Sequence, residues 1–376
     1  MKAIAFAVVV FWSVSAVQAQ PDITAQGRVE YVHIPAPSLS NNRFAMPTEQ
    51  LAAVYLPPSY GNSVARYPAV YYLPGFGDAV AFYTTYRVFQ GFSLQESLDS
   101  LIRRDSLTEM IVVIISTVTP LGGSFGVNSP VLGNWEDYIA NDVVGYVDHH
   151  YRTKPASESR GIAGHSAGGY GAISLAMRRP DAFGAVYALS PGLFEPGALK
   201  ENFMFSDTAV IRAYLTTQTH LDQMPPSYAK LSFISMMMQL VTAESAWERV
   251  FTYAYGASFA PDTSKTVPFI DYPYSVDNGQ LILHTAAWNR YERGFGDLAN
   301  KVEQHKDNLR RLAAIGIDVG RKDEYAWIPR GCEYFSGLLN DAGVPHQLIT
   351  HDAAHQDQLR SRIEGHMLPF FARVLR

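Results

Sequence analysis

The chain has 376 residues, of which 47% are hydrophobic and 17% are charged, and its formal net charge is −5. This composition is typical of a globular protein with enough apolar material for a large core, and its acidic balance argues against binding to nucleic acid. Cys332 is the only cysteine, which excludes an internal disulfide. Its position inside a predicted helix indicates an inert, packed thiol.

The first 19 residues predict a signal peptide. A positively charged second residue precedes an apolar run over residues 3–11, and a small-residue cleavage site ends at Ala19. Cleavage there would leave residues 20–376 as the mature protein. An uncleaved anchor is the alternative, but the apolar run is too short to span a bilayer comfortably, and no later stretch reaches that length. We therefore expect an exported protein, periplasmic or secreted, without stable membrane insertion.

Apolar runs separated by turns predict the strands of a sheet. Residues 50–56 form the first clear run, and residues 69–73 form the next. Runs without polar alternation are typical of strands that are buried on both faces, as in a parallel sheet. Similar runs recur at residues 111–116, 161–163, 185–190, 313–318 and 347–350.

Segments with helical spacing lie between these runs, at residues 134–151, 168–179, 325–342 and 358–375. This alternation predicts an α/β fold with a doubly wound, mostly parallel sheet and helices on both faces. Residues from about 191 to 300 break the alternation, because they contain helical pieces but no run typical of a buried strand. We interpret them as a helical cap inserted into a single domain that spans residues 20–376.

The strongest local motif is Gly-His-Ser-Ala-Gly at residues 164–168, which matches the pattern G-x-S-x-G. It follows a strand-like segment and opens a helical one, so Ser166 would lie on a sharp turn between them. Small neighbours relieve the crowding of such a turn. The backbone N–H of Ala167, at the helix N-terminus, would face a developing oxyanion. In this context the motif predicts a nucleophilic serine on an α/β-hydrolase fold.

A nucleophilic serine needs a base, and the base needs an acid that orients it. In this fold the acid follows a late strand, and the histidine follows the last one. Asp323 is the predicted acid because it lies in the loop beyond the strand at residues 313–318. Asp318, within that strand, and Glu324, the next residue along the loop, remain alternatives.

Two histidines follow the last predicted strand. His355 is the predicted base because it lies beyond two alanines, on a turn into the C-terminal helix. His351 is closer to the strand and is interpreted as a packed or hydrogen-bonded residue. Their i, i+4 spacing also suits zinc, but no glutamate follows the first histidine and the segment ends a strand. We predict neither a metal nor a cofactor.

Two loops complete the predicted site. In this fold the loop after an early strand supplies the second oxyanion donor, and the backbone N–H of Phe76 is the predicted donor here. The glycine-rich loop at residues 122–130 is the other candidate, with Phe125 and Asn128 as substrate contacts and Trp135 as an apolar wall. The alternative for this second loop is a stiff surface loop with buried aromatic side chains.

Several segments together resemble the esterase D-like esterases, the group of S-formylglutathione hydrolases, feruloyl and siderophore esterases, and mycolyltransferases. The resemblance covers most of the mature chain and is carried by residues 54–60 (VYLPPSY), 67–73 (YPAVYYL), 151–153 (YRT), 161–172, 180–184 (PDAFG) and 188–191 (ALSP). It implies a Ser–acid–His triad, which Ser166, Asp323 and His355 match by position. It also implies backbone oxyanion donors, which Ala167 and Phe76 match.

The chain departs from this family at two places. Many members carry His-Gly in the early loop, where this chain has Pro74 and Gly75, so any side-chain role of that histidine is lost. The segment from about residue 197 to residue 300 resembles the better-known members poorly. For this reason the resemblance does not identify the substrate.

These residues predict an exported serine esterase that forms an acyl-enzyme on Ser166 and acts on a small-molecule or carbohydrate-linked ester. An acyltransferase would use the same three residues with an alcohol in place of water. A non-catalytic binding protein on the same fold is another alternative, but the complete triad argues against it. A metallohydrolase built on His351 and His355 is the last alternative, and a chelator would abolish its activity.

Overall fold

The structure is a computed structural model that describes residues 26–241 and 246–376. The predicted signal peptide, residues 1–19, lies outside the described residues. The described strands are β1 (Arg28–Pro35), β2 (Glu49–Leu56), β3 (Ala69–Leu73), β4 (Ile111–Ile115), β5 (Asn128–Ser129), β6 (Gly133–Asn134), β7 (Arg160–His165), β8 (Ala185–Leu189), β9 (Tyr274–Asp277), β10 (Gln280–Leu283), β11 (Ala314–Gly320) and β12 (Gln347–His351).

The described α-helices are α1 (Val80–Thr84), α2 (Leu94–Arg103), α3 (Trp135–Asp137), α4 (Val144–His150), α5 (Ala167–Arg178), α6 (Phe203–Ser206), α7 (Thr208–Asp222), α8 (Pro226–Leu240), α9 (Trp247–Phe259), α10 (Thr285–Phe295), α11 (Leu298–Arg311), α12 (Trp327–Asp341), α13 (Leu359–Arg362) and α14 (Leu368–Val374). Two π-helical stretches, Tyr138–Val143 and Ile363–Met367, lie between α3 and α4 and between α13 and α14.

Eight of these strands form one sheet in the order β1-β2-β4-β3-β7-β8-β11-β12. β2 pairs antiparallel with β1 and with β4. All other neighbours in this sheet, from β4 and β3 across to β11 and β12, pair in parallel. The prediction of a mostly parallel α/β sheet is therefore confirmed. Because the carboxyl ends of parallel strands meet at one edge, the loops after β3, β7, β11 and β12 converge there.

Helices cover both faces of the sheet, which explains why its central strands show no polar alternation. Every residue of β3 is buried, and successive side chains enter opposite cores. Tyr71 packs into the core that contains Trp135 and Leu175 of α5. Tyr72 packs into the core that contains Tyr83 and Phe371 of α14.

The segment interpreted as a cap contains α6 to α10 and an exposed hairpin formed by β9 and β10. The hairpin is not predicted, because its strands are only four residues long and their side chains are exposed or half-buried. The aromatic rings of Phe203, Trp247 and Phe251 pack together from α6 and α9, with centroid distances of 4.6 and 5.0 Å from Phe203. Among the described residues, no helix combines the length and the apolar character that crossing a membrane requires.

Candidate active site

Ser166 occupies a sharp turn between a strand and a helix. β7 ends at His165 and α5 begins at Ala167, and between them Ser166 has φ 56° and ψ −117°. A serine with positive φ costs about 1–3 kcal/mol unless its surroundings fix it. Here the Ser166 N–H donates to the carbonyl of Leu189 over 2.9 Å, and the Ser166 carbonyl accepts from Gly192 over 3.1 Å. The neighbouring strand β8 thus helps hold the serine in this strained conformation.

Two glycines make this turn possible. A Cβ atom at Gly164 would lie 2.3 Å from the carbonyl oxygen of Gly168. A Cβ atom at Gly168 would lie 2.1 Å from the carbonyl oxygen of Leu73, at the end of β3. β3, β7 and α5 therefore meet backbone to backbone, and any larger residue at either position would force them apart.

The predicted acid and base form a buried pair. Asp323 follows β11, His355 follows β12, and His355 Nδ1 lies 2.7 Å from Asp323 Oδ2. His355 is 4% exposed and Asp323 is 6% exposed. The N–H of Tyr325 donates to the other carboxylate oxygen over 2.9 Å. With Nδ1 held by the carboxylate, Nε2 is the nitrogen of His355 left for chemistry.

Ser166 and His355 line the same cavity at the carboxyl edge of the sheet. Within the described residues, no hydrogen bond joins the Ser166 hydroxyl to the imidazole of His355. Catalytic contacts of this kind are often long in a free enzyme and shorten when substrate binds. The structure thus places Ser166 and His355 on one cavity, with Asp323 bonded to His355 behind its wall.

The alternative candidates for acid and base lie in other contacts. His351 Nε2 lies 2.7 Å from Asp318 Oδ1, and Nε of Arg362 donates to the same oxygen over 2.7 Å. Burial opposes ionisation of Asp318, but the hydrogen bond from His351 and the charge of Arg362 outweigh it and lower the pKa of its carboxyl. Glu324 accepts a hydrogen bond from the backbone N–H of His355 over 3.0 Å. Each of these carboxylates therefore has a contact other than the imidazole of His355.

Two buried side chains converge on the backbone carbonyl of His355. His165 Nε2 lies 3.2 Å from this oxygen, and Nη1 of Arg362 donates to it over 3.3 Å. Burial lowers the pKa of His165 well below its ordinary value, so the ring is neutral and acts here as an N–H donor. Both are positioning residues for the loop that carries His355. Neither role was predictable from the sequence, because His165 occupies a variable position of the serine motif and Arg362 belongs to no motif.

The predicted oxyanion donors lie on the same cavity. Ala167 is the first residue of α5, and both Ala167 and Phe76 line the cavity. Within the described residues, neither backbone N–H donates to another protein group, which leaves both available to a ligand. The loop of Phe76 is held by Asp78, whose Oδ2 accepts from the Gly75 N–H over 3.1 Å and from the Tyr83 hydroxyl over 2.8 Å.

The cavity has a volume of about 540 Å³, which is within the usual range for small-molecule sites. Most of its wall is apolar, and no lysine or arginine occurs among the described residues that line it. Its aromatic lining residues are Phe76, Phe203, Trp247, Phe251, Phe295, Tyr325 and Trp327. Of these, only Phe76 was predicted, because the others reach the cavity through long-range packing of α6, α9, α10, the loop before α12 and the start of α12.

The residues proposed from the glycine-rich loop as substrate contacts do not line this cavity. Phe125 lies one layer behind the wall, where its ring stacks on Phe76 at a centroid distance of 5.7 Å. Trp135 is fully buried, and its Nε1–H donates to the carbonyl of Leu132. Asn128 is exposed and bonds to Asp137. This placement corresponds to the alternative of a structural loop with buried aromatic side chains.

The remaining candidate ligands and nucleophiles lie in structural contacts. Burial raises the pKa of the Cys332 thiol well above its ordinary value, which makes it a poor nucleophile. His351 and His355 pair with separate carboxylates rather than with a common ligand position. In the part of the chain that the structure describes, no group of three or more His, Cys, Asp or Glu residues is arranged to hold a metal ion.

A strained serine between a strand and a helix, and on the same cavity a histidine that is bonded to a buried aspartate, define the α/β-hydrolase class. Similar solved structures include a ferulic acid esterase, with 18% identity, a TM-score of 0.57, and coverage of 93% of this chain and 99% of that chain. An S-formylglutathione hydrolase from Agrobacterium tumefaciens is 17% identical, with a TM-score of 0.55 and coverage of 93% and 96%. FphF, a fluorophosphonate-binding serine hydrolase of Staphylococcus aureus, is 15% identical, with a TM-score of 0.53 and coverage of 92% and 99%.

At these identities the structural likeness establishes the fold alone. The family follows from the sequence, because residues 44–247 match the family model described as "Putative esterase". This match covers more than half of the chain, and the chain therefore belongs to this esterase family. It is a carboxylic-ester hydrolase of the α/β-hydrolase fold, as predicted.

Proposed function

We propose that this esterase acts by a serine mechanism in which Ser166 is the nucleophile, His355 the general base and Asp323 the residue that orients it. The observation that carries the proposal is the buried His355–Asp323 contact of 2.7 Å, because His355 lines the cavity that also contains the strained Ser166. A non-catalytic protein would have no need to keep this strain and this buried pair together.

In the first half of the reaction, Ser166 Oγ attacks the ester carbonyl carbon while His355 Nε2 accepts the hydroxyl proton. The carbonyl oxygen becomes an oxyanion, which accepts hydrogen bonds from the backbone N–H groups of Ala167 and Phe76. When the tetrahedral intermediate collapses, the C–O bond to the leaving alcohol breaks and His355 returns the proton to that oxygen. The products of this half are a free alcohol and an acyl ester on Ser166.

In the second half, water attacks the acyl carbon and His355 Nε2 accepts its proton. The bond between the acyl carbon and Ser166 Oγ then breaks, the proton returns to Oγ, and a carboxylic acid leaves. Throughout, Asp323 accepts the Nδ1–H of the imidazole and stabilises its charged form. An acyltransferase would differ only in that an alcohol replaces this water.

The cavity supports an ester with an uncharged, apolar acyl group. Its walls include Phe203, Phe251 and Trp327, and no described lining residue is a lysine or arginine that would pair with an anionic substrate. Burying such walls against an apolar group is favourable by about 25 cal/mol per Å². Charged acyl groups would lose their hydration here without a partner.

The test compares the mature protein with Ser166→Ala and with Ser106→Ala, a change at an exposed serine far along the chain from the motif. Turnover of p-nitrophenyl butyrate is measured with and without a chelator. We expect Ser166→Ala to lower kcat by about 10⁴-fold or more, and Ser106→Ala and the chelator to leave it unchanged. Retained turnover in Ser166→Ala, or loss with the chelator, would contradict the serine mechanism.

We also propose export with removal of the first 19 residues, which rests on their sequence pattern. The test is N-terminal sequencing of protein recovered from the periplasm or the culture medium. The expected first residue is Gln20. Recovery of the intact N-terminus in the cytoplasmic fraction would contradict export.

A further inference from the structure

Helix α8 exposes apolar side chains beside the mouth of the catalytic cavity. Its inward face consists of Ala229, Phe233 and Met237, all fully or almost fully buried. On its outward face, Tyr228 and Leu231 are each 66% exposed. Soluble proteins expose single apolar residues routinely, but a contiguous apolar surface marks an interaction site.

Leu231, Met238 and Val241 are exposed and follow one another along one side of the helix, at spacings of seven and three residues, as far as the cavity. Leu240, at the end of α8, lines the cavity together with Val241 and Trp247, and the latter two are also exposed. From Val241 to Leu231 the surface extends about 15 Å along α8, at 1.5 Å per residue. We call Tyr228, Leu231, Val241 and Trp247 the apolar rim. Val118, also exposed, lines the cavity as well.

The charges on this surface indicate what it contacts. Lys230 is the only charged residue between residues 226 and 241, Glu248 and Arg249 follow Trp247 directly, and the chain as a whole carries a formal charge of −5. Anionic lipids attract helices whose polar face carries several lysines or arginines, which α8 lacks. Tyrosine, tryptophan and leucine side chains are those that enter the boundary of an uncharged lipid surface.

A second copy of the chain fits this surface poorly. Val241 and Trp247 belong to the apolar rim and also line the cavity, so a partner seated there would cover the entrance to Ser166. A surface made of the substrate itself has no such conflict, because it would bring ester groups to the entrance.

We propose that the apolar rim docks this esterase onto aggregates of uncharged, poorly soluble esters, such as emulsion droplets or neutral bilayers. The inference rests on the proposed function, since the cavity beside the rim is the one that contains Ser166 and His355. It places the preferred substrates among lipid-like esters that are presented at a surface, rather than among esters dispersed as single molecules.

The test uses Leu231→Glu and Tyr228→Glu, two residues that do not line the cavity. Val64→Glu is the matched control, because Val64 is 95% exposed and precedes the start of β3, at the opposite edge of the sheet. Turnover of tributyrin is followed from below to above its solubility limit, beside turnover of dissolved p-nitrophenyl acetate. Flotation with phosphatidylcholine vesicles, compared with phosphatidylglycerol vesicles, measures docking without catalysis.

We expect the unmodified protein and Val64→Glu to accelerate above the solubility limit of tributyrin and to float with phosphatidylcholine vesicles. Leu231→Glu and Tyr228→Glu should lose turnover of the emulsion on the order of tenfold and fail to float, with p-nitrophenyl acetate turnover unchanged. No acceleration and no flotation of the unmodified protein would overturn the proposal. Equal loss on both substrates would also overturn it.

A protein interface would give a different result. A concentration-dependent dimer that Leu231→Glu dissociates would assign the rim to a second copy and overturn docking onto lipid. Failure of the proposed function can be told apart from failure of docking. In the first case the unmodified protein would hydrolyse neither substrate, and flotation would still measure docking.

Discussion

Asp318 and Asp323 follow one another closely at the end of β11, but each contacts a different histidine. Asp323 bonds to His355 on the cavity, whereas Asp318 bonds to His351 and to the buried guanidinium of Arg362. The local sequence could not separate these two roles by residue type, and loop position alone favoured Asp323. The separation depends on where the chain turns after β11, which brings Asp323 back towards the loop of His355.

The two aspartates are expected to fail in different ways. Asp323→Asn should lower kcat by about 10³- to 10⁴-fold with little change in stability, because the amide no longer holds the correct imidazole tautomer. Asp318→Asn should lower the free energy of unfolding by about 3–5 kcal/mol, because it leaves the buried charge of Arg362 without a carboxylate. Ester turnover and urea unfolding of both variants measure this. A loss of stability in Asp323→Asn together with a loss of activity alone in Asp318→Asn would contradict these roles.

At the scale of elements, the apolar runs and helical spacings predicted the sheet and the helices around it. Runs such as residues 69–73 and 111–116 are informative because strands buried on both faces need apolar side chains at every position. The walls of the cavity were not predictable in the same way. Trp247 and Phe251 lie on α9, which is buried on every side from Val250 to Ser258, so its periodicity does not show which side chains meet the cavity.

The same limit explains why the sequence could not decide whether Phe125 and Trp135 contact substrate or pack in the core. Aromatic residues in a glycine-rich segment fit a ligand site and a packed core equally well, because both offer apolar contacts. The structure places both in the core, Phe125 behind Phe76 and Trp135 against Tyr138. By contrast, the motif around Ser166 predicts a sharp turn between a strand and a helix, and the structure contains that turn, since its backbone strain demands small neighbours at fixed positions.

The turn at Ser166 gives a prediction about backbone packing. Gly168→Ala should destabilise the protein severely or prevent folding, because its Cβ would lie 2.1 Å from the carbonyl oxygen of Leu73. Gly145→Ala in α4 is the matched control, since a Cβ there meets nothing within 4 Å. The control should gain about 0.5–1 kcal/mol in the free energy of unfolding. Equal urea midpoints for the two variants would contradict the backbone contact described here.

At the scale of the whole molecule, the burial of His165 couples stability to pH. Burial lowers the pKa of His165 from its ordinary value of 6.5, so the unfolded chain takes up this proton at a higher pH than the folded chain does. Its contribution to stability is complete above about pH 6.5 and is lost as the pH falls towards the folded pKa, with a slope of up to about 1.4 kcal/mol per pH unit.

His165→Gln removes this titration and retains an N–H donor for the carbonyl of His355. Urea unfolding between pH 7 and pH 5 should therefore show a shallower loss of stability in this variant than in the unmodified protein. Parallel pH dependences would mean that His165 does not stay neutral in the folded state.

Covalent labelling of the mature protein with a fluorophosphonate, followed by peptide mapping, is the sharpest test of the proposed triad. A nucleophile activated by His355 should react once per chain, and the label should lie on Ser166. Ser166→Ala should take up no label, although its urea unfolding matches that of the unmodified protein. No labelling of the folded, unmodified protein, or a label on another residue, would contradict a catalytic triad of Ser166, Asp323 and His355.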